Sequence, residues 1–170
     1  SGLRSVVAAY QSIRNNDSNI IIAGGQESMT NAPHTINYRK GKKLNHKNLI
    51  DTMIKDGLWD AFNGYHMGVT AENVATKWKI SRKEQDDFAL LSQLKTEKAF
   101  KEGKFKDEII PVKINKNFSF HKDEHPRKGI TFEKLSRLKP AFKKNGTVTA
   151  GNSSGINDGA AGLVLMTKEE

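Results

Sequence analysis

The sequence predicts an α/β protein, and three observations carry that expectation. Residues 1–14 place Leu3, Val6, Val7, Tyr10 and Ile13 at close to helical spacing, and a polar break, Asn15-Asn16-Asp17-Ser18, leads into the β-branched run NIIIA at residues 19–23. The pair Gly24-Gly25 ends that run, so helix, turn, short apolar strand and glycine pair follow one another as in a layer with a covered sheet. The chain returns to the same texture at residues 147–166, TVTAGNSSGINDGAAGLVLM. That stretch reads as an extended segment, a small-residue turn at 151–155, a second break at Asn157-Asp158-Gly159 and an apolar run at 160–166.

Two places in this scaffold suit a ligand. Sites in open α/β folds lie beyond the carboxyl ends of strands, here residues 24–29. Glycines let a ligand approach the main chain, and successive turn amides attract anions and polar acyl groups, which marks residues 151–155. The same pattern also fits two ordinary turns flanking a buried strand.

Between the scaffold pieces the texture differs. Residues 31–47 are polar and basic, with Pro33, Tyr38 and the run RKGKK, and read as a long loop. Residues 49–56 suggest a short helix through Leu49, Ile50, Met53 and Ile54. An aromatic-rich stretch with Trp59, Phe62 and Tyr65 precedes a helix from residue 69 or 70 to about 77. The clearest helix spans residues 81–102. Ser81 with Glu84 makes a capping box, Phe88, Leu91, Leu94 and Phe100 supply an apolar stripe, and Gly103 is the stop. Asp86 and Asp87 fall on its expected solvated surface. Residues 109–114 form a strand that Pro111 makes edge-like or irregular. A polar stretch follows, with Phe118 and Phe120 alternating, and residues 131–135 start a short helix that ends before Pro140. The organisation expected is an α/β scaffold from residues 1–28 and 145–170, interrupted by a large, mainly helical, basic insertion at 29–144.

Composition narrows the chemistry. A chain of 170 residues suits one domain, or one domain with an insertion. Lysine and arginine number 28 against 19 acids, a net charge of +9 that could serve nucleic acid, an anionic membrane or a phosphorylated ligand. The basic residues are scattered over loops and helix faces rather than interleaved with aromatics, which argues against nucleic acid. With no cysteine in the chain, disulfides, thiolate zinc sites and cysteine nucleophiles are excluded within it. No apolar run approaches the length of a membrane span and nothing resembles a signal peptide, so a cytoplasmic location is expected.

The five histidines, His34, His46, His66, His121 and His125, lack metal-ligand spacing, and no metal is expected. His66, between Tyr65 and Met67-Gly68 and just before a helix start, could orient a ligand carbonyl or serve only structure. Ser28, Ser153 and Ser154 lack a nucleophile-elbow context. Asn157-Asp158-Gly159 reads as turn chemistry. Arg127, Lys128, Arg137 and Lys139 flank the last break before the scaffold returns. An arginine there could stack on a planar base or pair with phosphate, or be a plain surface charge.

Taken together, the stretches SGLRSVVAAYQSI, IIAGGQESMTNAPH, DTMIKDGLWDAFNGYHMGVTAENVA, SRKEQDDFALLSQ, GKFKDEIIPV and LKPAFKKNGTVTAGNSSGINDGAA resemble the thiolase family, in its biosynthetic, short-chain acetyl-CoA acetyltransferase branch. They occur in the family's order and cover most of residues 1–166. The resemblance implies a partial thiolase fold: the end of the N-terminal α/β half, interrupted by a coenzyme A-binding loop domain. It implies a reversible Claisen condensation of two acetyl-CoA to acetoacetyl-CoA and CoA, through a cysteine acyl-enzyme. A second cysteine would move the proton at the α-carbon, and two oxyanion holes would stabilise the enolate and the tetrahedral intermediate. No cofactor is implied beyond the coenzyme A thioesters used as substrates.

The residues that would carry catalysis are not in this sequence. The family's nucleophilic cysteine would sit just before Ser1, and its histidine and second cysteine beyond Glu170. The chain by itself is therefore expected to be inactive. What the resemblance leaves here is binding. Arg127 would contact the adenine end of coenzyme A, and Ser154 and Ala150 the pantetheine. Leu58, Phe142 and Gly155 would wall the tunnel, and His66 and Met67 would border the pantetheine and acyl pocket. The YHMG form is similar to short-chain members. At the adenine rim His125 and Lys134 stand at polar positions that vary in the family. The basic loop near residues 33–47 resembles the segment through which family tetramers assemble, implying a homo-tetramer for the full-length enzyme. The alternative is a non-catalytic coenzyme A-binding or scaffolding protein.

Overall fold

A computed structural model of the chain describes residues 2–36 and 48–170. The elements run in order α1 (Gly2–Arg14), β1 (Ile20–Ser28), β2 (His34–Thr35), β3 (Ile50–Asp51), β4 (Trp59–Asp60), β5 (Tyr65–His66), α2 (Met67–Lys77), α3 (Arg82–Lys101), β6 (Val112–Asn115), β7 (Phe118–Phe120), α4 (Phe132–Ser136) and β8 (Asp158–Met166). A single π-turn, Met53–Gly57, precedes β4. Contacts divide the chain into two units, Ser1–Lys55 with Ile156–Glu170, and Asp56–Gly155.

The first unit is an α/β layer. β1 and β8 pair antiparallel over nine residues each, from Ile20 opposite Met166 to Ser28 opposite Asp158. The strand does not stop at Gly24-Gly25 as expected; it runs through the glycines to Ser28. Their missing side chains are what permit this. A Cβ on Gly25 would approach the Gly2 Cα to 2.8 Å, and one on Gly24 would strike the Ala161 carbonyl. The close approach is fixed by the Ser5 hydroxyl, which donates to the Gly24 carbonyl at 2.7 Å. Ala9 and Ala23 are buried where α1 meets β1, whereas Ile20, Ile22, Val164 and Met166 are exposed. These four alternate along paired strands, so they share one uncovered apolar face. Where a helix was expected at residues 49–56, Ile50–Asp51 pairs with β2 and the π-turn follows, its start fixed by the Asp51 carboxylate accepting from the Met53 amide at 2.9 Å.

The second unit holds α2, α3 and α4 with two short antiparallel pairs, β4–β5 and β6–β7. α3 has the expected capping box: Ser81 accepts from the Glu84 amide while the Glu84 carboxylate accepts from the Ser81 amide at 2.7 Å. Gly103, at φ +68°, terminates it in the left-handed conformation that glycine adopts without strain. The expected apolar stripe is not its buried face, however. Phe88, Leu91 and Leu94 are exposed, and the residue fully removed from solvent is Asp86. The apolar core of this unit is small, with Ala75, Leu135 and Val148 buried, and charged and polar groups share it: Glu72 is 3% exposed, Asp86 and Thr149 0%. A buried charge is tolerated only where it is paired and hydrogen-bonded, so the partners of these groups define the unit.

The segment at 33–47 expected to mediate assembly, with His46 in it, lies mostly outside the described residues. Among the described residues no helix is long and apolar enough to cross a membrane, and no group of histidine, aspartate and glutamate side chains could hold a metal.

Candidate binding site

Four of the sequence-predicted residues meet at the start of α2. β5 delivers His66 to the N-cap of that helix, in an extended conformation, where its Nδ1 accepts from the Gly68 amide at 2.9 Å. A ring nitrogen that accepts carries no proton, so the neutral imidazole is an N–H donor at Nε2. Phe142 stacks on the ring with centroids 4.9 Å apart and planes inclined at 22°. That stack is possible because residue 68 is glycine: any Cβ there would run into the Phe142 ring. The Met67 amide donates to the Leu58 carbonyl at 2.8 Å, closing the group. Leu58, His66, Met67 and Phe142 therefore form one cluster with a donor at its centre and a thioether beside it.

Ala150, Ser154 and Gly155 lie on a second piece, the turn at residues 147–155. Within it the Thr149 amide donates to Asn152 Oδ1 at 2.7 Å, the Gly151 amide to the Thr149 hydroxyl at 3.2 Å, and the Ser153 hydroxyl to the Thr149 carbonyl at 2.7 Å. Ser153 is thus committed to the turn, while Ser154 and Ala150 are exposed. Gly151 lies against Leu135 and Leu138, whose side chains a Cβ would meet at 2.6 and 2.5 Å.

Two acidic residues hold this turn. Glu72 of α2, the helix capped by His66, accepts from the Thr147 amide at 2.8 Å, the Val148 amide at 2.8 Å and the Thr147 hydroxyl at 3.0 Å. Burial alone would raise the pKa of Glu72. The Val148 and Thr147 amides, the Thr147 hydroxyl and the charge of Lys143 outweigh it and hold the carboxyl below its usual 4.5. Asp86 of α3 accepts from Asn152 Nδ2 at 2.9 Å and from Arg82 Nε at 2.7 Å. Arg82 in turn donates through Nη2 to the Leu135 and Leu138 carbonyls at 2.7 and 3.0 Å, at the end of α4. Asp86 is not on the solvated surface expected for it; it is fully buried, with Arg82, one turn earlier, on one carboxylate oxygen and Asn152 on the other.

The structure puts Arg127 in a third place. It is exposed, and its amide donates to Gln93 Oε1 on α3 at 3.0 Å. Lys134 folds back to the Gly129 carbonyl at 2.8 Å and so is a loop tie. Asp158 is a strand residue rather than a turn residue, and its carboxylate accepts from the Thr30 amide at 3.0 Å.

Two open grooves among the described residues do not coincide with these positions. One, of about 560 Å³, is lined by Gly2, Leu3, Gly24, Gly25, Ala160 and Leu163 among others; a smaller one includes Phe100, Phe105, Ile109 and His121. Neither shares a lining residue with the eight residues expected to bind coenzyme A, but the first includes Gly24, Gly25, Gln26 and Glu27, in the 24–29 segment expected to suit a ligand. Sequence reasoning missed Gly68, Glu72, Asp86 and Gln93. A signal existed for the first two: Gly68, Glu72 and Ala75 recur at helical spacing and are all buried, two of them small enough to mark a close approach.

Comparison with known proteins gives a consistent result. The thiolase N-terminal domain family matches residues 1–169. An acetyl-CoA acetyltransferase of Paracoccus denitrificans is 56% identical over 173 aligned residues, covering 100% of this chain and 44% of the relative. Among solved structures, an acetyl-CoA acetyltransferase from Syntrophomonas wolfei superposes with a TM-score of 0.91 at 44% identity, covering 99% of this chain and 43% of that one. A human mitochondrial 3-ketoacyl-CoA thiolase in complex with CoA superposes with the same TM-score at 41% identity, again over 99% of this chain and 43% of its own. The chain thus spans less than half the length of the relatives it matches.

Proposed function

Because the chain belongs to the thiolase family, through that family's N-terminal domain, we propose that it supplies coenzyme A and pantetheine binding to a cytoplasmic, homo-tetrameric acetyl-CoA C-acetyltransferase. That enzyme condenses two acetyl-CoA to acetoacetyl-CoA and CoA, reversibly. In this reading the Asp56–Gly155 unit is the core of the coenzyme A-binding loop domain, and Ser1–Lys55 with Ile156–Glu170 belongs to the α/β half.

The observation that carries the reading is the arrangement around His66. Its Nδ1 is occupied by the Gly68 amide, so Nε2 offers a proton to a carbonyl, and the Phe142 ring holds the imidazole plane in place. An amide or thioester carbonyl is what such a donor, flanked by Met67 and Leu58, would orient. Ser154 and Ala150, exposed on the neighbouring turn, would meet the pantetheine, with Gly155 at the tunnel wall. Arg127 would meet the adenine end, where a guanidinium can both stack on the base and pair with phosphate. The relatives named acetyl-CoA acetyltransferase and the CoA complex of the human enzyme support the substrate class.

The covalent steps fall to groups this chain does not contain. Acyl transfer through a thiolate and proton transfer by a second thiol both need cysteine, and the sequence has none. The same fact keeps a second reading in view, a coenzyme A-binding or scaffolding protein without catalysis. Calorimetric titration with CoA tests binding: saturable affinity that falls about tenfold in Arg127→Ala supports the site, each lost charged contact being worth roughly that much. An unchanged affinity in Arg127→Ala, and in a Ser154→Trp variant that fills the turn, refutes it. Acetyl-CoA incubation followed by mass spectrometry separates the two readings. The full-length protein carrying this sequence forms a cysteine acyl adduct only if it is the transferase.

A further inference from the structure

We propose that α3 is a ruler between the two ends of the ligand: Asp86 positions the turn that meets pantetheine, and Gln93 positions the loop that meets adenine. The proposal rests on the coenzyme A reading above and extends it to two residues that reading does not use.

Both residues project from one helix, and each holds a different candidate piece. Asp86 accepts from Asn152 Nδ2 at 2.9 Å, and Asn152 is the organising residue of the turn that carries Ala150, Ser154 and Gly155. The same Nδ2 donates to the Thr147 carbonyl at 3.1 Å, and the residue's own amide donates to the Thr149 carbonyl at 3.3 Å. Seven residues later Gln93 Oε1 accepts from the Arg127 amide at 3.0 Å. Seven residues are about two helical turns, so the two side chains share a face and their Cα atoms are about 10 Å apart along the axis.

Neither residue is placed to act on a ligand directly. Asp86 is 0% exposed, and the oxygen not used by Asn152 is taken by Arg82 Nε at 2.7 Å. Its effect on a ligand must pass through Asn152. Gln93 reaches Arg127 by the main chain, leaving the guanidinium free to turn outward, so its effect passes through the position of the loop. A helix is the stiffest connector available between two such points, since its own ladder fixes the separation.

Arg82 makes the Asp86 end rigid. Its Nη2 bonds to the Leu135 and Leu138 carbonyls fix it against the end of α4, so the carboxylate cannot swing with the turn. Among the described residues the Gln93 side chain is held by one hydrogen bond, to the Arg127 amide, and is the more adjustable end of the two.

The test dissects the ligand. In the full-length protein carrying this sequence, affinities are measured for CoA, for acetyl-pantetheine and for adenosine 3′,5′-bisphosphate, in wild type, Asp86→Asn and Gln93→Ala. Asp86→Asn is expected to lose about tenfold for CoA and acetyl-pantetheine, with adenosine bisphosphate unchanged. Gln93→Ala is expected to lose about threefold or more for CoA and adenosine bisphosphate, with acetyl-pantetheine unchanged. A role confined to general stability would lower the active fraction without separating the fragments. Equal losses on both fragments, or none, overturn the proposal. If Asp86→Asn does not fold, Gln93→Ala decides by the same criterion, because it disturbs only a partly exposed contact. A wild-type protein that binds none of the three ligands instead refutes the coenzyme A reading itself.

Discussion

Glu72→Ala is the sharpest perturbation of the structure. The carboxylate takes three donors from the 147–148 segment, the Thr147 and Val148 amides at 2.8 Å and the Thr147 hydroxyl at 3.0 Å. Val148 is 4% exposed, so its amide has no water to turn to when the acceptor is removed. Hydrogen bonds to a charged acceptor contribute about 1.5–3 kcal/mol each and do not add fully, and an orphaned buried donor costs about 1–3 kcal/mol, so the loss is about 3 kcal/mol. For a protein of this size that corresponds to a fall in Tm of roughly 6–12 °C. Glu72→Gln keeps one acceptor oxygen but turns an NH2 toward a donor, and should lose about half as much. The effect has a pH signature. The folded carboxyl lies below 4.5, so its stabilisation is present above that value and is lost as pH falls through the folded pKa. The advantage of wild type over Glu72→Gln is therefore constant near neutrality and shrinks below about pH 4.5. Thermal and urea unfolding of wild type and both variants, repeated across pH 3–7, measure this. A Glu72→Ala variant within about 0.5 kcal/mol of wild type, the scatter expected of ordinary surface changes, would refute the reasoning.

Gly68→Ala should push the Phe142 ring off His66 and cost about 1–3 kcal/mol by overpacking, with weaker CoA binding as the second readout; unchanged stability would mean that the ring relaxes freely. The isolated 170-residue chain should self-associate, because Ile20, Ile22, Val164 and Met166 form an uncovered apolar face. A monodisperse monomer with a reversible thermal transition would contradict that. The isolated chain should also take up no cysteine-bound acetyl group from acetyl-CoA, which mass spectrometry of the intact protein checks directly.

What could be read from the sequence was local. The capping box Ser81–Glu84, the glycine stop at Gly103 and the Thr131 start of α4 depend on side chains within a turn of the atoms they bond, and each is where the sequence places it. The apolar run at 160–166 was legible as a strand, although the strand begins at Asp158, inside the expected break, and His66 was legible as lying just before a helix, although that helix begins at Met67 rather than at 69 or 70. What failed was the choice of face on α3. Phe88, Leu91 and Leu94 make an apolar stripe at helical spacing, and spacing alone assigns that stripe to the core. In the structure the stripe is exposed and the opposite face is packed. The residues of that face, Arg82, Gln85, Asp86 and Gln93, are polar, and each finds a partner distant in sequence: Leu135 and Leu138, Thr147, Asn152 and Arg127.

A buried polar face cannot be recognised by periodicity, since its residues are those that would otherwise mark solvent. It is set by whether each donor meets an acceptor, and the partners here lie 34 to 66 residues away. The Arg82–Asp86 spacing is that of an i, i+4 ion pair, but such pairs are ordinary on exposed helices. The pair becomes part of a core because Arg82 Nη2 also donates to the Leu135 and Leu138 carbonyls and the side-chain amide of Asn152 donates to Asp86. The consequence for the binding site is direct. The glycine-rich turn at 147–155 is anchored by the buried Val148 and by Gly151 against Leu135 and Leu138, and its backbone is held by Glu72 on one side and, through Asn152, by Asp86 on the other. If the turn binds coenzyme A as proposed, two carboxylates that carry none of its chemistry place it, and a substitution at either should move affinity without touching a ligand atom.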